Sequence, residues 1–170
     1  MRTLIVLSAL PGSGKSTWSE QYRLTHKHVK IVSSDAIRKE LTGQYQDLTQ
    51  EKKVWEIYYQ RINQIFDDFD EVTVIADSTN ITDKYRLNLL EMCPNYDRCV
   101  LVILKKKLDK ILYQNHVRNE AKFVPEDAIK SMWKRWEDPS KEVRELFDEV
   151  IEIEGWFESP KVKDAFHYKE

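Results

Sequence analysis

Apolar residues fall along the chain in two kinds of run. Short apolar-rich runs occur at about 3–8, 29–33, 72–76 and 99–104, the second interrupted by Lys30. Such runs fit strands covered on both faces, the situation of a parallel sheet flanked by helices. A fifth run, Glu149-Val150-Ile151-Glu152-Ile153, alternates and reads as an edge strand. Between the strands the period changes to about 3.6 residues. The clearest case is 50–68, where Val54, Ile57, Tyr58, Ile62, Ile65 and Phe66 recur on one stripe. A core-facing helix explains those aromatics better than a cofactor pocket does. Further helices are predicted at 14–25, from a Ser34 or Asp35 cap to 41, at 82–92 behind Thr82, at 109–119, at 125–136 with Pro125 in the first turn, and up to about 147. Strands alternating with helices give an α/β architecture with a parallel sheet.

Composition narrows this little. The chain has 170 residues, 33% of them charged and 41% apolar, with a net charge of −2. One domain is expected, over 1–154, followed by a C-terminal tail at 155–170. The near-zero net charge excludes a global field for nucleic acid or an anionic membrane. No apolar run approaches the ~18 residues of a membrane span, and the short run behind Arg2 does not read as a signal peptide. Cys93 and Cys99 show no disulfide or zinc spacing, which fits a reducing, cytoplasmic setting without disulfide partners.

The first strand carries the chemistry. It runs into Ala9-Leu10-Pro11-Gly12-Ser13-Gly14-Lys15-Ser16-Thr17, nearly the G-x-x-x-x-G-K-[ST] loop. Gly12 and Gly14 supply the positive φ that turns backbone N–H groups inward, and the helix that follows adds its positive end. Lys15 is expected to reach the β and γ phosphates of ATP, and Ser16 to ligate Mg²⁺. Ala9 replaces the first glycine, so ordinary extended geometry is expected there. Asp35 closes the second strand on the crevice side of such a sheet. Asp77 closes the third, a second candidate for Mg²⁺. Lys84 and Arg86 near the fourth helix are candidate grips on an anionic substrate, and Lys105-Lys106-Lys107 edges the crevice. The pair His26 and His28 reads as a solvated connection.

Several motifs then occur together in one order: Leu10–Trp18, Ser34-Asp35-x-x-Arg38, Asp77-x-Thr79-Asn80, and Gln114-Asn115-x-x-Arg118 followed by Val124-Pro125. Over roughly 2–150 the chain resembles P-loop kinases of the polynucleotide 5′-kinase type, including phage-type and zeta-toxin-like members. The resemblance implies a three-layer fold with strand order 2-3-1-4-5 and a helical lid at about 105–124. It implies Asp35 as general base for the acceptor hydroxyl, and Arg38, Thr79 and Asn80 at the acceptor, where the position of Arg86 also places a candidate. It also implies Arg118 on the lid, touching the donor phosphates held by residues 11–17. The expected partners are ATP and a 5′-hydroxyl nucleic acid. A small acceptor (a nucleoside, a nucleotide sugar, an aminoacyl-tRNA) and a non-catalytic NTP switch stay open. Two residues depart from the pattern: Ser34 stands where the phage-type kinases carry arginine, and Gln114 where a second lid arginine is common.

Overall fold

The computed structural model describes residues 1–118 and 122–154. The expected tail lies outside the described residues, as do 119–121 of the expected lid. The elements are β1 (Arg2–Ala9), α1 (Lys15–Thr25), β2 (Val29–Ser33), α2 (Ser34–Thr42), α3 (Glu51–Asp68), β3 (Val72–Asp77), α4 (Asp83–Met92), β4 (Arg98–Lys105), α5 (Leu108–His116), α6 (Glu126–Arg135), α7 (Lys141–Glu145) and β5 (Glu149–Glu154). The strands form one sheet in the order β2-β3-β1-β4-β5, with every neighbouring pair parallel.

The strand residues divide as the apolar runs require. Leu4 and Val6 pack on one face with Val54, Tyr58, Ile62 and Phe66 of α3, Leu89 of α4 and Val143 of α7. Ile5, Leu7 and Ala9 pack on the other, against Trp18 of α1. Two buried faces explain why β1, β3 and β4 lack alternation. A satellite core lies under α5 and α6, where Leu10 and Ile81 meet Ile111, Val124 and Ile129. It fastens α5 and α6 to the loop that follows β1.

Ala9 continues β1 and is absent from the positive-φ residues, as expected for a residue with a Cβ. Two local expectations change. Ser33, not Ser34 or Asp35, caps α2, its Oγ accepting from the Ala36 N–H at 3.2 Å. Pro125 sits at the cap of α6 rather than inside its first turn. Cys93 and Cys99 are free and buried, and burial pushes the Cys93 thiol up to about 12. No helix among the described residues is long and apolar enough to cross a membrane.

Candidate active site

The loop at 10–17 closes as a turn, with the Ser13 N–H donating to the Leu10 carbonyl at 3.1 Å. Gly12 and Gly14 have φ of 81° and 90°. Gly12 is constrained twice, since a Cβ there would lie 2.7 Å from the Ile111 carbonyl oxygen of α5. The glycine therefore lets α5 rest directly on the loop. Helix α1 begins behind Gly14 without a side-chain cap and without an acidic residue in its first turn. Its first-turn amides at Lys15–Thr17 precede the bond from the Trp18 N–H to the Gly14 carbonyl, so they lack intrahelical acceptors. An anion completes such a helix start. Lys15 is buried beside it, whereas Ser16 and Thr17 are exposed at the mouth. The Ser13 hydroxyl is buried with no hydrogen-bond partner among the described residues.

Asp77 ends β3 across from α1. Ser16 Oγ lies 3.5 Å from Asp77 Oδ2, donating to it. Burial pushes the Asp77 carboxyl up, nearby Asp35 pushes in the same direction, and Lys15 and the Ser16 hydroxyl oppose them. A desolvated carboxylate beside a hydroxyl is an oxygen donor pair suited to a hard cation, so Ser16 and Asp77 fit Mg²⁺. No group of three or more His, Cys, Asp or Glu side chains able to hold a metal occurs among the described residues. A metal here would therefore draw its remaining ligands from phosphate and water.

The raised Asp77 pKa sets a stability prediction. The folded value exceeds the unfolded one, so the ionised carboxylate destabilises the fold above the folded pKa, and protonation relieves this as pH falls. Asp77→Asn is expected to melt at a higher temperature than the native chain near pH 7, with the gap narrowing toward about pH 4. Thermal melts at the two pH values check this, and a lower melting temperature for the variant near pH 7 would contradict it.

Asp35 stands in the first turn of α2 with its side chain 43% exposed. Arg38 Nη1 donates to Asp35 Oδ1 at 2.6 Å. The same guanidinium donates from Nε and Nη2 to the two oxygens of Glu51, both at 2.7 Å. Arg38 is thus clamped between two carboxylates rather than presented to a substrate. Glu51 carried no sequence signal: it opens α3, where an acidic residue reads as complementing the helix dipole.

Arg118 follows α5. Burial pushes its guanidinium pKa down, and Asp35 and Asp77 push it up. It therefore lies within electrostatic reach of both carboxylates. Its Nη1 is buried without a hydrogen-bond partner among the described residues. Asn115 ties α5 to the segment before α6, donating from Nδ2 to the Val124 carbonyl at 2.7 Å while Oδ1 accepts from the Val124 N–H at 2.9 Å.

Two expected substrate residues are structural instead. Arg86 is wholly buried. Its Nε donates to Ser8 Oγ and the Asn80 carbonyl, its Nη2 to the Glu137 carbonyl at 2.6 Å, and its Nη1 to Asp83 at 2.9 Å. The cation knits β1, the β3–α4 connection and the end of α6 together, out of reach of a ligand. Asn80 is also buried, at φ 42°, with Nδ2 donating to the Leu7 carbonyl. Asparagine tolerates that left-handed geometry and here ties the ends of β1 and β3. Thr79 contributes its carbonyl to the Ala9 N–H at 2.8 Å, while its side chain stays half-buried.

Beside the loop lies a cavity of about 390 Å³, lined by Leu10, Ser13, Lys105, Ile111, Trp133 and Trp136. Lys106 and Lys107 line it too, so the lysine run edges the loop's side of the crevice. Lys105 is paired with Asp138 at 3.4 Å.

A model of the family described as AAA domain matches residues 4–139. The L-seryl-tRNA(Sec) kinase of Methanococcus maripaludis is 26% identical over 148 residues, 80% of this chain and 53% of that protein. The chain thus spans about half the length of the curated relative it matches. A gluconokinase from Sinorhizobium meliloti 1021 superposes with a TM-score of 0.61 at 22% identity, over 97% of this chain and 90% of that one. A chain of the Pnkp1/Rnl/Hen1 RNA repair complex superposes with a TM-score of 0.70 at 19% identity, over 86% of this chain and 46% of that one.

Proposed function

The chain belongs to the AAA domain family, and from that premise we propose that it is an ATP-dependent kinase transferring the γ-phosphoryl group to a hydroxyl of a small or aminoacyl acceptor. The observation that carries this reading is the contact of Ser16 in the phosphate loop with Asp77 at 3.5 Å, with Asp35 and Arg118 within electrostatic reach of Asp77. A switch that only holds a nucleotide needs no exposed carboxylate opposite the phosphates. A kinase needs one to take a proton.

In this reading the nest at 12–14 and the first-turn amides of α1 hold the triphosphate, with Lys15 against its outer phosphates. The base enters the cavity beside Trp133 and Trp136, whose volume suits one small-molecule group. Ser16 and Asp77 hold Mg²⁺, which when bound neutralises charge on the β and γ phosphate oxygens. Arg118 brings a cation to the migrating group. Asp35 orients the acceptor hydroxyl and accepts its proton as the new O–P bond forms and the bond to ADP breaks. Little covalent chemistry is asked of the protein, because phosphoryl transfer depends chiefly on positioning and charge.

The family match reaches the P-loop kinase level and does not single out the polynucleotide 5′-kinase type. The acceptor is assigned from what supports it: the seryl-tRNA kinase and gluconokinase likenesses, a net charge of −2, and Ser34 in place of an arginine. The test is a labelled-phosphate assay over a sugar acid, a sugar, a seryl-tRNA and a 5′-hydroxyl oligonucleotide, each at low and high salt. Transfer to one of the first three is expected, with a sugar or sugar acid little affected by salt. Transfer to the oligonucleotide alone, falling steeply as salt rises, would refute the acceptor assignment.

A further inference from the structure

Arg38 has three N–H groups committed, one to Asp35 and two to Glu51. Glu51 occupies the Nε/Nη2 fork, an edge with which arginine grips a phosphate in bidentate fashion. The edge that remains is shared with Asp35. The Arg38 side chain is 8% exposed, against 43% for Asp35 and 32% for Glu51. Two carboxylates therefore face solvent around one sunken cation. An acceptor phosphate arriving here meets negative charge first and finds the arginine already bound.

We propose that Glu51 is a specificity-determining residue. By occupying Arg38 it withholds that cation from acceptor phosphates and leaves it to hold Asp35. The site then favours hydroxyls not flanked by a phosphate, such as those of sugars, sugar acids or a seryl group. The acceptor preference rests on Asp35 receiving the hydroxyl, as proposed above. The withholding of Arg38 does not, since it is a statement about charge and geometry that binding alone can read.

The probe is a short 5′-hydroxyl oligonucleotide, titrated calorimetrically into the full chain with a non-hydrolysable ATP analogue present. Glu51→Gln retains the size of the side chain but loses its charge and one acceptor oxygen, which frees part of the fork. Its affinity for the oligonucleotide is expected to rise by about tenfold or more, the worth of one charge-assisted hydrogen bond. The gain is expected to disappear when Arg38→Gln is added. Glu51→Asp, which keeps the charge but draws it back from the fork, is expected to show a smaller gain and serves if Glu51→Gln folds poorly. Unchanged or weaker binding in these variants overturns the proposal, as does a gain that survives loss of Arg38. A purely structural Glu51 would lower the melting temperature and leave oligonucleotide affinity where it was. Failure of the native chain to transfer phosphate to any acceptor would count against the kinase reading and leave this binding comparison intact.

Discussion

Asp35→Asn is expected to lower phosphoryl transfer by about 10²–10⁴-fold, the usual contribution of a general base. Affinity for the nucleotide is expected to stay within about threefold, a shift well under 1 kcal/mol. The asymmetry follows from position. Asp35 stands in the first turn of α2, outside the loop at 10–17, and its carboxylate is hydrogen-bonded to Arg38. The amide oxygen of asparagine can still accept from Arg38 Nη1, the bond that measures 2.6 Å to the native carboxylate. The ion pair becomes an ordinary hydrogen bond, and the half-exposed site tolerates the change. What asparagine lacks is the ability to take the acceptor proton. Steady-state kinetics paired with calorimetric titration of an ATP analogue separates the two quantities. Transfer at the native rate would show that the acceptor hydroxyl loses its proton elsewhere.

Arg118→Ala is expected to reduce turnover by about 10³-fold, the lower range for an arginine that meets a transferring phosphoryl group. The fold gives a reason to separate this loss from stability. The Arg118 guanidinium is desolvated enough to lower its pKa, and its Nη1 has no hydrogen-bond partner among the described residues. A buried donor without a partner costs free energy that a phosphate oxygen would offset. Removing the side chain therefore removes a burden from the nucleotide-free protein, and the melting temperature is expected to hold or rise. Binding of ATP should in turn stabilise the native chain more than the variant. Melting curves with and without nucleotide, beside kcat, check all of this. Native kcat in the variant, or a large fall in nucleotide-free melting temperature, would move Arg118 from the reaction to the scaffold.

The sheet was legible because its signals are local. Apolar-rich runs marked β1, β3 and β4, and shorter or alternating ones the edge strands β2 and β5, to within one or two residues, and the 3.6-residue stripe of α3 had only one amphipathic solution. The phosphate loop was equally clear, since the positive φ at Gly12 and Gly14 is written in the residue type. Short cap residues slipped by one position at Ser33 because three consecutive polar residues, Ser33 to Asp35, could each start a helix. The errors at Arg86 and Asn80 have a different cause. Arg86 read as a grip on a substrate because its partners are remote: Ser8 lies 78 residues away and Glu137 lies 51 away. A charged residue is buried only when such partners converge, and local patterning carries no trace of that. The partners of Arg38 were hidden for the same reason. Its place three residues after Asp35 was visible, whereas the bidentate contact with Glu51 depends on how α2 docks on α3.

The decisive property of this site is whether a hydroxyl is phosphorylated through Asp35. The direct measurement is γ-³²P transfer from ATP to sugar, sugar-acid and seryl acceptors by the native chain and by Asp35→Asn, with nucleotide binding recorded for both. The predicted result is a labelled acceptor from the native chain, transfer lowered by about 10²-fold or more in the variant, and matching nucleotide affinities. Equal labelling by both proteins, or nucleotide bound tightly by both with no acceptor labelled by either, would contradict it.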